Sequence, residues 1–181
     1  MEVGPERRRA VEWEDPLVGA EAAREMSGLE YLRAMQRGEL PTAPIGKLMG
    51  FGLHEVDEGR VVFAVEPAEY HYNPIGAVHG GLACAVFDSA MGCAVHTRLP
   101  AGTGYTTLEL KVNFLRPITA ETGLVLCEGR ALHVGGRIAT ADARLTDGEG
   151  RLCGHATTTC MVFRPPRQED ETPGEPGPGA A

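Results

Sequence analysis

Residues 82–95 read Leu-Ala-Cys-Ala-Val-Phe-Asp-Ser-Ala-Met-Gly-Cys-Ala-Val, and Asp88 carries the run's one formal charge. A helix that is apolar all round is buried on every side rather than laid on a surface. On that helix the neighbours of Asp88 three and four positions away are Cys84, Ala85, Met91 and Gly92, so no Lys or Arg of the same helix pairs with it. A buried, unpaired carboxylate costs several kcal/mol, or is neutralised by a raised pKa. Either another segment compensates Asp88 or chemistry uses it.

The flanking sequence supplies strands to cover such a helix. Residues 51–56 and 60–66 are β runs separated by Asp57-Glu58-Gly59, a hairpin composition. After the helix, residues 106–116 alternate, with Thr106, Leu108, Leu110, Val112 and Phe114 on one face and Thr107, Glu109, Lys111 and Asn113 on the other. Runs at 123–133, 137–146 and 152–163 follow, joined at Gly135-Gly136 and Asp147-Gly148-Glu149-Gly150. Two strands, a helix and a four-strand meander predict an α+β fold in which an antiparallel sheet curls around one long helix. One sheet leaves part of a helix uncovered, so a second copy of the chain is expected to complete the burial.

Towards the N-terminus, residues 1–26 are mixed in charge with little apolar periodicity and read as a loosely ordered extension. Residues 27–44 read as a short helix and linker: Ser27 caps it, Glu30 completes a capping box, Gly38 ends it, and Pro41 and Pro44 make the link extended. The main domain spans 45–164. Residues 165–181, rich in Pro, Gly and acid, read as a disordered tail.

Composition excludes several function classes. A net charge of −8 argues against a nucleic-acid surface, because Arg7-Arg8-Arg9 is flanked by Glu6 and Glu12. No run of about 18 apolar residues is available to span a bilayer. Five cysteines, odd in number and never spaced Cys-x-x-Cys, read as free thiols of a reducing compartment, with the cytoplasm expected. The six histidines show no ligand spacing, so neither a metal nor a cofactor is expected.

Gly80 and Gly81 begin the helix, where backbone N–H groups are unpaired and the helix dipole adds partial positive charge. Without side chains, a ligand oxygen approaches closely, which suits an oxyanion hole. Gly80 and Asp88 lie eight residues apart, roughly 12 Å along a helix, whereas a donor and a base serving one carbonyl each sit about 3 Å from the reacting atoms. One copy's Gly80 therefore cannot serve its own Asp88. If both act, helices from two copies meet and each dimer has two equivalent sites.

Asn73, six residues before His79-Gly80-Gly81, with Asp88 seven residues after Gly81 and Thr107 ahead of Asn113-Phe114-Leu115-Arg116-Pro117, resembles the signature of the PaaI-like acyl-CoA thioesterases of the hotdog-fold superfamily. The resemblance extends over about residues 45–163. It implies that Asp88 activates water or attacks the thioester carbonyl, that the Gly80 N–H of the partner subunit polarises that carbonyl with help from Asn73, that Thr107 orients the water, and that His79 shapes the loop. It also implies an acyl-CoA substrate and a homodimer with shared sites, assembling to a homotetramer. Gly81, Arg116, Arg130 and Arg137 are the substrate-binding candidates, the arginines towards coenzyme A phosphates. Two alternatives stand beside hydrolysis: a hotdog hydratase or dehydratase acting on enoyl or hydroxyacyl thioesters, with His79 as its available histidine, and a non-catalytic acyl-CoA-binding module. A Cys84–His79 pair, Ser89 as a nucleophile and a zinc site at His54-Glu55 rank below these, because Cys84 lies in an apolar run, Ser89 lacks a nucleophile elbow and His54 lacks a second ligand.

Overall fold

The computed structural model describes residues 6–163. Three short helices, α1 (Pro16–Glu25), α2 (Gly28–Gln36) and α3 (Pro44–Met49), precede the strands β1 (Phe51–Asp57) and β2 (Arg60–Val65). The long helix α4 (Gly80–His96) follows, and then β3 (Gly104–Phe114), β4 (Val125–Val134), β5 (Ile138–Asp147) and β6 (Leu152–Phe163). All six strands form one antiparallel sheet in the order β1-β2-β4-β5-β6-β3. The sheet curls around α4, as expected for an α+β hotdog arrangement. No helix among the described residues is long and apolar enough to cross a membrane.

The sheet order corrects the expected four-strand meander. β4, β5 and β6 are consecutive neighbours, but β3 does not pair with β4: it pairs with β6 at the edge, and β2 takes the place beside β4. Hairpin turns specify neighbours only where strands are joined by short turns, and none joins β3 to β4.

Phe87, Met91, Val86 and Val95 of α4 are fully buried against the sheet, each contributing about 1.5–3 kcal/mol of burial. Helix and sheet meet most closely at Gly129 of β4, where a Cβ would lie 2.4 Å from the Ala90 carbonyl carbon and oxygen. Both atoms belong to backbone, so only glycine fits.

The N-terminal segment is more ordered than the sequence suggests. Within the extension expected to be loose, residues 16–25 form α1; Asp15 accepts from the Leu17 N–H, and Pro16 opens the helix. The capping box on α2 is formed as expected, with Ser27 accepting from the Glu30 N–H and the Glu30 carboxylate accepting from the Ser27 N–H at 3.1 Å. In the linker, Pro44 starts α3 instead of continuing an extended chain, because proline lacks an N–H exactly where a first helical residue needs none. The tail at 165–181 lies outside the described residues.

Candidate active site

Asp88 lies on the side of α4 that the sheet leaves uncovered, together with Gly81, Cys84, Ala85, Ser89 and Cys93. In the single chain its carboxylate is exposed. The sheet covers one face of α4, as expected of a single sheet against a helix, and Asp88 stands on the face that the chain itself leaves open. Thr107 Oγ1 donates to Asp88 Oδ1 at 2.8 Å, which leaves Oδ2 without a partner among the described residues.

A bulge places that threonine. β3 pairs with β6 in continuous register up to Thr107↔Cys160, then skips to Glu109↔Thr159, leaving Leu108 as the extra residue. Plain alternation puts Thr107 on the face with Glu109 and Lys111, away from Leu110 and Val112. The extra residue reverses the alternation, so Tyr105 and Thr107 share the helix-facing side with Leu110 and Val112. Leu108, expected inside, is 55% exposed.

The groups around Asp88 are held neutral. Burial and the Asp88 charge push the Cys93 thiol up to about 12. The Tyr105 hydroxyl is raised well above its ordinary 10.0, chiefly by burial. Burial also raises Cys84, so neither thiol of this helix face is a ready thiolate. Ser89 Oγ donates back to the Ala85 carbonyl at 2.8 Å.

At the N-terminal end of α4, two turns before Asp88, His79 is the N-cap. Its Nδ1 accepts from the Gly81 N–H at 2.8 Å, and its own N–H donates to the His71 carbonyl at 2.8 Å. The Gly81 N–H is thus engaged by His79, while the Gly80 N–H in the first turn has no acceptor among the described residues. Asn73 Oδ1 accepts from the N–H groups of Ile75 (3.0 Å) and Ala77 (3.2 Å). It braces the loop that delivers Gly80, so its side-chain oxygen is committed to the turn.

His71 was not singled out from the sequence, yet it locks the same loop. Its Nδ1 accepts from the Ala68 N–H at 3.0 Å, and its Nε2 bonds the Met49 carbonyl at 2.8 Å. Burial lowers its pKa, which suits a neutral ring in that role. The aromatic run Tyr70-His71-Tyr72 was the available signal.

Two of the cavities beside α4 lie at Asp88 and at Gly80 and share no lining residue. One, of about 280 Å³, opens beside Asp88, Thr107 and Tyr105 and extends over Phe51 and Phe63. The other, of about 390 Å³, lies at Gly80, between His79, Phe114, Arg116 and Ile118. Arg116 is thus brought to the Gly80 end. Arg130 instead pairs with Glu128 at 2.7 Å, and neither it nor Arg137 lines either cavity. Among the described residues no three His, Cys, Asp or Glu side chains gather as a metal site.

This arrangement can be set against known proteins. The family model of the thioesterase superfamily matches residues 75–154, and a phenylacetic acid degradation-related protein of Ralstonia eutropha JMP134 has the same fold at 31% identity, with a TM-score of 0.66 over 72% of this chain and 98% of that one. The chain belongs to the thioesterase superfamily. The E. coli PaaI protein of the phenylacetic acid degradation operon shares the fold, with a TM-score of 0.65 at 18% identity over 77% of this chain and 96% of that chain. A Saccharolobus solfataricus protein bearing an esterase name is 34% identical over 96 residues, which are 53% of this chain and 62% of that protein, so the match spans less than two thirds of its length. The 1,4-dihydroxy-2-naphthoyl-CoA hydrolase of Listeria monocytogenes is 24% identical over 58% of this chain and 83% of its own. The stretch matched to the thioesterase superfamily contains His79, Gly80, Asp88, Thr107 and Arg116, and excludes α1 to α3, β1 and β2.

Proposed function

We propose that the chain hydrolyses an acyl-CoA thioester to a carboxylic acid and free coenzyme A, in sites shared between two copies. Membership of the thioesterase superfamily sets the reaction class as acyl-thioester hydrolysis. One observation carries the finer reading. Asp88, oriented by Thr107 at the middle of α4, and the Gly80 N–H at its start, without an acceptor among the described residues, face different cavities.

A second copy packed antiparallel on the uncovered face of α4 brings its Gly80 to this Asp88. The small side chains there, Gly81, Cys84, Ala85 and Ser89, permit close approach of two helices. Asp88 Oδ2 then takes a proton from water as that water attacks the thioester carbon, or attacks the carbon itself. The carbonyl oxygen becomes an oxyanion stabilised by the Gly80 N–H and the positive end of α4. Collapse breaks the C–S bond, and the departing coenzyme A thiolate takes up a proton; where Asp88 itself attacked, water then adds to the acyl carbon of the Asp88 anhydride and breaks its bond to Oδ2, releasing the acid and regenerating the carboxylate. Arg116, at the rim of the Gly80 cavity, is placed to meet an anionic part of the cofactor moiety.

The test is a mixing experiment. Asp88→Asn and Gly80→Pro proteins, each nearly inactive alone, are unfolded together and refolded. In a symmetric dimer, about half of the products are mixed, and each mixed dimer has one intact site of two, so about a quarter of wild-type activity returns. If the mixture stays as inactive as its parents, shared sites are ruled out.

A further inference from the structure

The cavity beside Asp88 continues along α4 for two further turns and ends at His96. Its facing wall comes from segments outside the stretch that matches the family model, through Tyr31 and Met35 of α2 and Phe51 of β1. α2 is fixed against the end of α4: the Gly28 N–H donates to the Leu99 carbonyl at 3.0 Å, and a Cβ at Gly28 would lie 1.8 Å from the His96 carbonyl oxygen. Such backbone contact leaves that wall little room to shift.

His96 is held between two rings, with Tyr31 at 5.6 Å and Tyr105 at 5.5 Å between centroids. Its ring lines the cavity, and among the described residues its nitrogens have no hydrogen-bond partner and are not shut off from solvent. Burial lowers its pKa, so the imidazole is neutral at physiological pH. No Lys or Arg lines the cavity, and Asp88 sits at its near end. An anionic substituent would find no cation there, whereas a neutral donor or acceptor finds a ring nitrogen of either kind. Asp88 and His96 are eight residues apart, about 12 Å along the helix. His96 thus lines the part of the cavity two turns beyond Asp88, remote from the reacting carbonyl.

We propose that His96 is a specificity-determining residue that hydrogen-bonds a neutral polar substituent, such as a hydroxyl, carried by the acyl group at its end remote from the thioester carbonyl. This rests on the hydrolytic reading for the identity of the ligand. Where the acyl group lacks the substituent, the imidazole is desolvated against carbon with nothing to bond, which disfavours that substrate.

Binding and turnover test it separately. Full-length Asp88→Asn protein is titrated calorimetrically with pentanoyl-CoA against 5-hydroxypentanoyl-CoA, and with benzoyl-CoA against 4-hydroxybenzoyl-CoA. At least one hydroxylated member binds about tenfold tighter or better. Adding His96→Leu brings that ratio to about one without weakening the plain ester, and His96→Gln, which keeps a donor and an acceptor, retains part of it. In chains with Asp88 intact, the kcat/KM ratio follows the same order while kcat for the plain ester is kept. Ratios near one in both pairs, or a ratio unmoved by His96→Leu, overturn the proposal. A binding preference that follows His96 in a protein that turns over none of the four esters supports the proposal and refutes the hydrolytic reading instead.

Discussion

Replacing Gly80 with proline removes one hydrogen-bond donor and little else. Gly80 is the first residue of α4, where the N–H has no intrahelical acceptor and proline is favoured. His79 has φ −64° and ψ 132°, the extended conformation that a residue before proline prefers. The contact to be accommodated is the ring of Phe114, which a Cβ would approach to 3.1 Å at Cζ. That ring is 57% exposed and free to give way, so the stability cost stays within about 1 kcal/mol. Loss of an oxyanion donor costs about 10²–10³ in kcat, or about 2.7–4 kcal/mol. Gly80→Ala is the matched control, because it makes the same contact with Phe114 and keeps the N–H. Free-thiol release from a panel of alkyl- and aryl-CoA thioesters, with kcat and KM resolved and thermal midpoints measured alongside, should show Gly80→Ala within a few-fold of wild type and Gly80→Pro two to three orders lower in kcat. Equal kcat in the two variants, both folded, would refute the role given to this amide.

Three further outcomes are expected. Thr107→Val, which loses the hydrogen bond to Asp88, should lower kcat by about tenfold or more at similar stability, and Thr107→Ser should restore most of it. Cys93 should resist iodoacetamide in the folded protein at pH 8 and react once the protein is unfolded, because its thiol is pushed up to about 12. The same shift sets a pH dependence: Cys93 favours its protonated form more strongly when folded than at its ordinary 9.0, so its contribution is fully present below about pH 9 and is lost as pH rises towards 12. Thermal midpoints should fall over that window and fall less in Cys93→Ala.

The His79-Gly80-Gly81 helix start, the charge at Asp88 and the eight residues between them are legible in the sequence, and in the structure Asp88 and Gly80 line different cavities. Other roles were not legible. Gly81 loses its free N–H to His79, and Asn73 turns its oxygen to the loop, because side chains two residues from a backbone amide reach it first. α1 escaped notice because its residues have no clear apolar stripe, although Asp15-Pro16 is a helix-starting pair.

The residues alone determined that one long apolar helix lies against an antiparallel sheet with a single carboxylate on it, since periodicity and turn chemistry act over a few neighbouring positions. The tertiary structure alone decided which face of that helix stays open, which strand borders it, and that Thr107 meets Asp88. Edge pairing of β3 with β6 and the bulge at Leu108 are contacts between residues about 50 positions apart, and a one-residue offset there turns a side chain from one face of the sheet to the other.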